Sequence, residues 1–266
     1  MLDRYNREIN YLRISVTDRC NLHCVYCRPE KGIKLIPRSR ILSFEQIEAV
    51  VHAAVKLGIR KIKLTGGEPL VRRGIVLLVS RLSHIPGLED LSMTTNGTLL
   101  AEYAADLAGA GLQRVNISLD TLDPDEFRQI TRGGNLDSVL QGIAAARAAG
   151  LVPIKLNCVV ENSAIEKAAR SVEAYARDQQ LTIQFIRRME LSTGTFYIVG
   201  KGRGGDCVCC SRLRLTSSGI IKPCLFNDLG YSIWEYGIEQ SLKSAIMNKP
   251  AAGQCSREHK LYNIGG

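Results

Sequence analysis

The run Tyr11-Leu-Arg-Ile-Ser-Val-Thr-Asp-Arg-Cys20-Asn-Leu-His-Cys24-Val-Tyr-Cys27 leads from a β-rich stretch straight into three cysteines spaced C-x3-C-x2-C. Tyr11–Thr17 reads as a strand from its β-branched and aromatic content. The cysteine spacing lets three thiolates converge from the single loop that follows. A [4Fe–4S] cube held by three thiolates keeps one iron open, and an open iron can take a further ligand and pass it an electron. The competing reading is a zinc ion that uses His23 as its fourth ligand, since histidine beside cysteine suits zinc.

Outward from that loop the chain alternates. Further strands are expected at Lys61–Thr65, Leu91–Thr95, Arg114–Leu119, Pro153–Val160 and Thr182–Arg188. Helices are expected at Phe44–Leu57, Gly74–Ser83, Leu99–Ala110, Asp123–Ile130 with Asp137–Ala149, and Ser163–Asp178. Successive β/α units imply parallel strands joined by right-handed crossovers. Six such units fall short of the eight of a closed barrel, so the expectation is an α/β fold of the partial (β/α)6 TIM type, with its site at the C-terminal ends of the strands. A doubly wound sheet fits the alternation alone; the motifs below favour the barrel.

After Met189 the character changes. Leu191–Asp206 is rich in Gly, Thr and Lys and reads as a linker. Cys207, Cys210 and Cys224 form a second group, C-x2-C-x13-C. Arg212–Thr216, Ser217-Ser218-Gly219 and Ile220–Cys224 read as a hairpin that brings the third thiol back to the first two. A helix near Ile238–Met247 follows. The expected division is a barrel over residues 1–190 and a small C-terminal cluster-binding extension over 191–266.

Composition sets bounds. Nine cysteines, an odd number, in a chain whose polar start MLDRYNREIN has no export signal argue against a disulfide scaffold. Cys158, Cys209 and Cys255 are left over and read as inert thiols. No apolar run approaches the roughly 20 residues of a membrane span. A cytoplasmic location and no membrane partner follow as expectations. The net charge of +9 is spread over many elements without a nucleic-acid-binding module, so no nucleic-acid partner is expected. Some of that charge can instead converge on an anionic small molecule.

C-x3-C-x2-C after the first strand, with Tyr26 before the last cysteine, resembles the radical S-adenosylmethionine superfamily. Gly66-Gly67-Glu68-Pro69 after the second strand resembles its GGEP element. The resemblance implies S-adenosylmethionine bound at the open iron and cleaved reductively to a 5′-deoxyadenosyl radical. It assigns cofactor contacts to Tyr26, Gly67, Glu68, Ser118 and Met189, and cluster ligation to Cys20, Cys24 and Cys27.

The second cysteine group, followed by Arg212-Leu-Arg214-Leu-Thr216, resembles the GTP 3′,8-cyclase family of molybdenum cofactor biosynthesis. Thr94-Thr95-Asn96-Gly97, Asn116-Ile-Ser-Leu-Asp120, Cys224-Leu-Phe226 and the terminal Gly265-Gly266 extend the likeness over nearly the whole chain. It implies a second [4Fe–4S] cluster on Cys207, Cys210 and Cys224. Substrate contacts fall to Arg13, Lys63, Thr94, Lys155, Arg212, Leu213 and Arg214. Catalytic roles fall to Arg13, Arg212, Arg214 and the diglycine tail. The implied reaction abstracts the 3′ hydrogen of GTP and closes a ring onto C8 of guanine. The implied partners are GTP, an electron donor and a downstream cyclic pyranopterin monophosphate synthase, with a homodimer left open. Three departures stand out: a short segment between Met189 and Cys207, Ser211 where the family usually has Asn, and Arg187 where it usually has Glu. A related radical enzyme acting on another nucleotide or a peptide, and a non-catalytic iron–sulfur protein, are the alternatives.

Overall fold

The computed structural model describes residues 1–189, 191, 199–200 and 206–256. Nine strands form one sheet: β1 Tyr11–Ser15, β2 Lys61–Thr65, β3 Asp90–Thr95, β4 Arg114–Ser118, β5 Lys155–Val160, β6 Thr182–Arg187, β7 Arg212–Leu215, β8 Ile220–Lys222 and β9 Tyr231–Ser232. The helices are α1 Phe44–Lys56, α2 Ile75–Ser83, α3 Leu100–Gly109, α4 Pro124–Thr131, α5 Leu136–Ala148, α6 Lys167–Asp178, α7 Ile233–Tyr236 and α8 Ile238–Met247. The sheet order is β6-β5-β4-β3-β2-β1-β7-β8-β9. Each pair from β6 through β1 to β7 is parallel, and β8 and β9 are antiparallel additions. This is the expected partial TIM-type barrel. Among the described residues no helix is long and apolar enough to cross a membrane.

Alternation along the strands divides the sheet into two chemically opposite faces. Leu12, Ile14, Ile62, Leu64, Met93, Ile117 and Leu156 are fully buried and pack with helix residues such as Ile47, Val51, Leu78 and Leu107 in one continuous core. Each such aliphatic side chain contributes about 1.5–3 kcal/mol by leaving water. The intervening positions, Arg13, Lys63, Ser92, Thr94, Asn116, Ser118, Lys155, Asn157, Arg212 and Arg214, are polar and share the other face, which lines the barrel interior. Local signals place the helices. Ser43 and Gln46 form a capping box at α1, and Asp123 caps α4 with Pro124 in its first turn.

The expected elements recur with shifted ends. α6 starts at Lys167, not Ser163, because the Glu166 carboxylate accepts the N–H groups of Glu161, Asn162 and Ser163 and ties them into a loop. β5 starts at Lys155, past Pro153, which has no N–H to give a ladder. The hairpin forms as expected: Gly219 adopts φ +91°, and the Thr216 N–H reaches the Ile220 carbonyl at 2.9 Å. β7 pairs with β1, so the sheet continues across the division expected at residue 190. β9, α7 and the 3-10 turns Arg38–Arg40 and Pro69–Val71 are too short to leave a periodic signal.

Gly142 lies inside α5, where a Cβ would meet the Gly97 carbonyl oxygen at 2.5 Å. Gly142→Ala is expected to destabilise the protein by about 1–3 kcal/mol through overpacking, instead of gaining the roughly 1 kcal/mol that Ala offers an ordinary helix interior. Denaturant unfolding measures the sign.

Candidate active site

The loop Thr17–Arg28 leaves the C-terminal end of β1 and carries Cys20, Cys24 and Cys27, all half-buried and none in a disulfide. Local hydrogen bonds shape it: the Cys27 and Arg28 N–H groups both reach the Cys24 carbonyl at 3.0 Å. The Leu22 N–H and the Asn96 carboxamide donate to the Cys20 sulfur. Burial, with the neighbouring Asp120, Cys27 and Cys20 charges, pushes the Cys24 thiol up to about 12. Burial and Cys20 push Cys27 up to about 11. Three thiols gathered where anions are disfavoured fit a cationic iron–sulfur core, which supplies the charge that sustains them as thiolates. His23, the fourth ligand of the zinc reading, is exposed, and its backbone is tied to Thr131.

The Gly-Gly-Glu element sits directly against this loop. The Gly67 N–H donates to the Thr17 carbonyl at 2.8 Å and the Glu68 N–H to the Arg19 carbonyl at 2.7 Å. A Cβ on Gly67 would lie 1.9 Å from the Arg19 oxygen, so only glycine lets the loops meet this closely. Glu68 is buried. Its Oε1 accepts from the Thr95 hydroxyl and the Leu70 N–H, and its Oε2 from the Asn96 N–H. Burial raises its pKa to about 7 against the lowering effect of those donors. Glu68 thereby joins the ends of β2 and β3 and steadies the Asn96 that faces Cys20.

The barrel interior gathers cations. Register sets Arg13 beside both Lys63 and Arg214, and Lys155 beside Asn116. Lys63 donates to the Asn116 carboxamide oxygen at 3.0 Å. Burial, then the charges of Arg13, Arg114 and Lys155, pull Lys63 down to about 7. Burial, then Arg13 and Arg212, also disfavour the charge on Arg214. Thr94 Oγ1 and Asn157 Oδ1 are buried with no hydrogen-bond partner among the described residues. Such groups cost about 1–3 kcal/mol each while unsatisfied, and a polar ligand would meet them.

Cys207, Cys210 and Cys224 form the second group. Cys210 precedes β7, whose Arg212 pairs with Tyr11 at the start of β1. Cys224 follows β8, which runs antiparallel to β7. The second group therefore lies at the N-terminal end of β1 and the first at its C-terminal end. A strand rises about 3.3 Å per residue, so β1 separates them by roughly 15 Å, with the cations between. Burial raises the Cys210 thiol, but the Lys249 charge and the backbone and charge of Arg212 outweigh it and bring the thiol to about 7.

The other expected residues fall as follows. The Tyr26 hydroxyl donates to Asp120 at 2.8 Å, in contact with the cysteine loop. Ser118 ends β4 on the interior face beside Asn157. Met189 packs with Cys224 against Leu191, Leu225 and Phe226. Leu213 lies between Arg212 and Arg214, and alternation turns its side chain into the helix-covered core, where it is fully buried, so only its backbone is left to the interior. Gly265 and Gly266 lie outside the described residues. Cys209 is exposed and bonded to Asp206, Cys255 is exposed, and Cys158 is buried in the core. Sequence reasoning missed Asn96, Asp120, Asn157, Arg7 and Lys249. The first two lie inside motifs quoted for other reasons; the rest carry no local signal.

Lys63 carries a pH signature. Its folded pKa, about 7, lies below its ordinary value of 10.5, so between those limits the unfolded chain binds more protons. Ligand-free protein is expected to gain stability from this group as pH rises from 7 towards 10.5, with the penalty present in full below 7. Unfolding of wild type and Lys63→Met at pH 7 and 9 tests it: the variant should show the smaller gain.

Residues 14–162 match the model of the radical SAM superfamily. A GTP 3′,8-cyclase from Pelotomaculum thermopropionicum is 42% identical, with 85% of this chain and 84% of the relative covered. One from Geobacter sulfurreducens is 37% identical over 324 aligned positions, with 100% of this chain and 99% of the relative covered. Among solved structures, Streptococcus suis SuiB bound to precursor peptide SuiA superposes with a TM-score of 0.68 at 14% identity, covering 92% of this chain and 66% of that one. Native anSMEcpe with bound AdoMet gives 0.64 at 17%, covering 90% and 81%. The structures share the fold, and the sequence relatives narrow it further: this chain belongs to the radical SAM superfamily and, within it, to the GTP 3′,8-cyclase family.

Proposed function

We propose that the chain converts GTP to 3′,8-cyclo-7,8-dihydro-GTP, the first step of molybdopterin synthesis. Membership of the superfamily brings a [4Fe–4S] cluster and S-adenosylmethionine, which when bound supply a 5′-deoxyadenosyl radical able to take hydrogen from an unactivated carbon. Cys20, Cys24 and Cys27 would ligate that cluster. Tyr26, Gly67, Glu68, Ser118 and Met189 would surround the S-adenosylmethionine. Glu68 has already committed its carboxylate to Thr95, Asn96 and Leu70, so its main task is to hold the loops that shape the pocket.

The observation that carries the substrate is the row of cations inside the barrel. Arg13, Lys63, Lys155, Arg212 and Arg214 share one face of the sheet, and several depress one another's charge. A triphosphate relieves that repulsion, and arginine's planar fork suits phosphate oxygens. Thr94 Oγ1 offers an unmet hydroxyl on the same face. Leu213 can contribute only backbone. Cys207, Cys210 and Cys224 would hold a second cluster whose open iron provides a Lewis acid for the guanine base. The division at residue 190 then separates the part with the first thiol group from the part with the second, while the cations that would bind the substrate come from both. Gly265 and Gly266 would complete the site from the C-terminus. Reductive cleavage consumes an electron, so an electron donor is required, and the family likeness implies a downstream cyclic pyranopterin monophosphate synthase. A homodimer is compatible with this arrangement, as is a cytoplasmic location.

The second reading is a radical enzyme with another anionic substrate. Its support is length: the Geobacter relative aligns over 324 positions against the 266 residues here. Anaerobic incubation of reconstituted protein with S-adenosylmethionine, reductant and GTP, followed by mass spectrometry, separates the two. 5′-Deoxyadenosine with a cyclic isomer of GTP supports the cyclase. 5′-Deoxyadenosine with GTP intact supports the second reading.

Cys24→Ala is expected to abolish 5′-deoxyadenosine formation, and retained cleavage would remove the first loop from the mechanism. Arg212→Ala is expected to leave 5′-deoxyadenosine formation in place and to weaken GTP binding by about 1.5–3 kcal/mol, roughly ten- to hundredfold in Kd. Equilibrium binding that matched wild type would count against the cationic pocket.

A further inference from the structure

The first residues of the chain have no part in the chemistry above, yet Asp3 and Arg7 are both buried. Asp3 Oδ1 accepts the N–H groups of Tyr5 and Arg7, and Oδ2 accepts Arg7 Nε at 2.7 Å. That pairing fixes the guanidinium plane. Arg7 Nη1 then donates to the carbonyls of Cys207 at 2.8 Å and Ala251 at 3.1 Å, and Nη2 to Pro250 at 2.7 Å. Lys249 approaches from the end of α8 and is 2% exposed. Its ammonium donates to the carbonyls of Arg212 and Pro223, each at 2.7 Å.

The gripped carbonyls belong to Cys207 itself, to the residue two beyond Cys210 and to the residue just before Cys224. Two cations that stand 242 residues apart in sequence thus meet around all three thiol-bearing segments. Burying an ammonium is costly unless it is met by acceptors or anions, and the two carbonyls hold this one between the segments that carry Cys210 and Cys224.

We propose that Lys249, steadied by Arg7 through their shared segment, is a positioning residue for the second cluster. It holds Cys210 and Cys224 at one mutual spacing and meets their charge when they ligate iron. This rests on the second cluster proposed above. A positive charge close to the ligating sulfurs also raises a cluster's reduction potential, so Lys249 acts on the potential as well as on occupancy.

The test is anaerobic reconstitution of the full chain as wild type, Lys249→Met, Lys249→Gln, Lys249→Arg and Cys210→Ala. Iron is counted, and each cluster is followed by redox titration with electron paramagnetic resonance. Wild type should hold about eight irons per chain, two cubes, and Lys249→Met about half as many. The first cluster's signal should survive in Lys249→Met, which controls for folding, and Lys249→Arg should restore the second set. Lys249→Gln keeps size and a donor without charge. If Lys249→Met fails to fold, the glutamine variant decides: a second cluster that is lost, or reduced at lower potential than wild type, upholds the proposal. Full iron with an unchanged second-cluster potential in either neutral variant overturns it. Wild type that holds no more iron than Cys210→Ala overturns the second cluster, and the proposal with it.

Discussion

β1 is paired on both sides, with β2 through Arg13 and Lys63 and with β7 through Arg13 and Arg214. That double pairing sets one strand of the barrel between β2, which starts at Lys61, and β7, which starts at Arg212. The same strand carries the first thiol group off its C-terminal end, and the second thiol group precedes β7 at the level of Tyr11. One register therefore sets the row of cations, their separation from each thiol group and the direction in which the two groups face. A slip of one residue between β1 and β7 would turn Arg214 into the core and Leu213 into the cavity.

The interior built this way is unfavourable on its own. Cations crowd one face, and Lys63 is pulled to about 7 by burial and like charge. At the far end of β1, the Cys24 and Cys27 thiols are pushed up by burial and by neighbouring charges, Cys20 among them. The opposite face offsets this: its aliphatic side chains are fully buried against the helices. The fold spends apolar burial on one side to hold, on the other, two kinds of group that each want a partner of opposite charge. Under the proposed function both kinds would be satisfied by ligands, an anion for the arginines and lysines and an iron core for the thiols. The arrangement is consistent with the local strain found at functional sites.

How far the site could be read from sequence differs by residue, and the difference is physical. Cys20, Cys24 and Cys27 share one loop, so their spacing alone implies convergence. Arg13, Lys63 and Lys155 lie on separate strands, and only the expectation of parallel order made them neighbours. Leu213 stands between Arg212 and Arg214 in sequence, yet in a strand its side chain points the other way, into the core. Asn157 shows its orphaned oxygen only once Ser118 and the interior face are set beside it. Asp3 and Arg7 look like an ordinary solvated charge pair until the segment carrying Lys249 closes over them.

By itself the sequence determined the local facts: β/α alternation at short range, two groups of three cysteines, and caps and turns at element ends. These follow from backbone periodicity and side-chain chemistry within a few residues. Only the tertiary structure decided that β7 joins β1 in parallel and that the two thiol groups lie at opposite ends of one strand. It also decided that Arg7 and Lys249 enclose the second group. Those outcomes depend on hydrogen-bond register and burial between distant segments, and no stretch of chain carries that information alone.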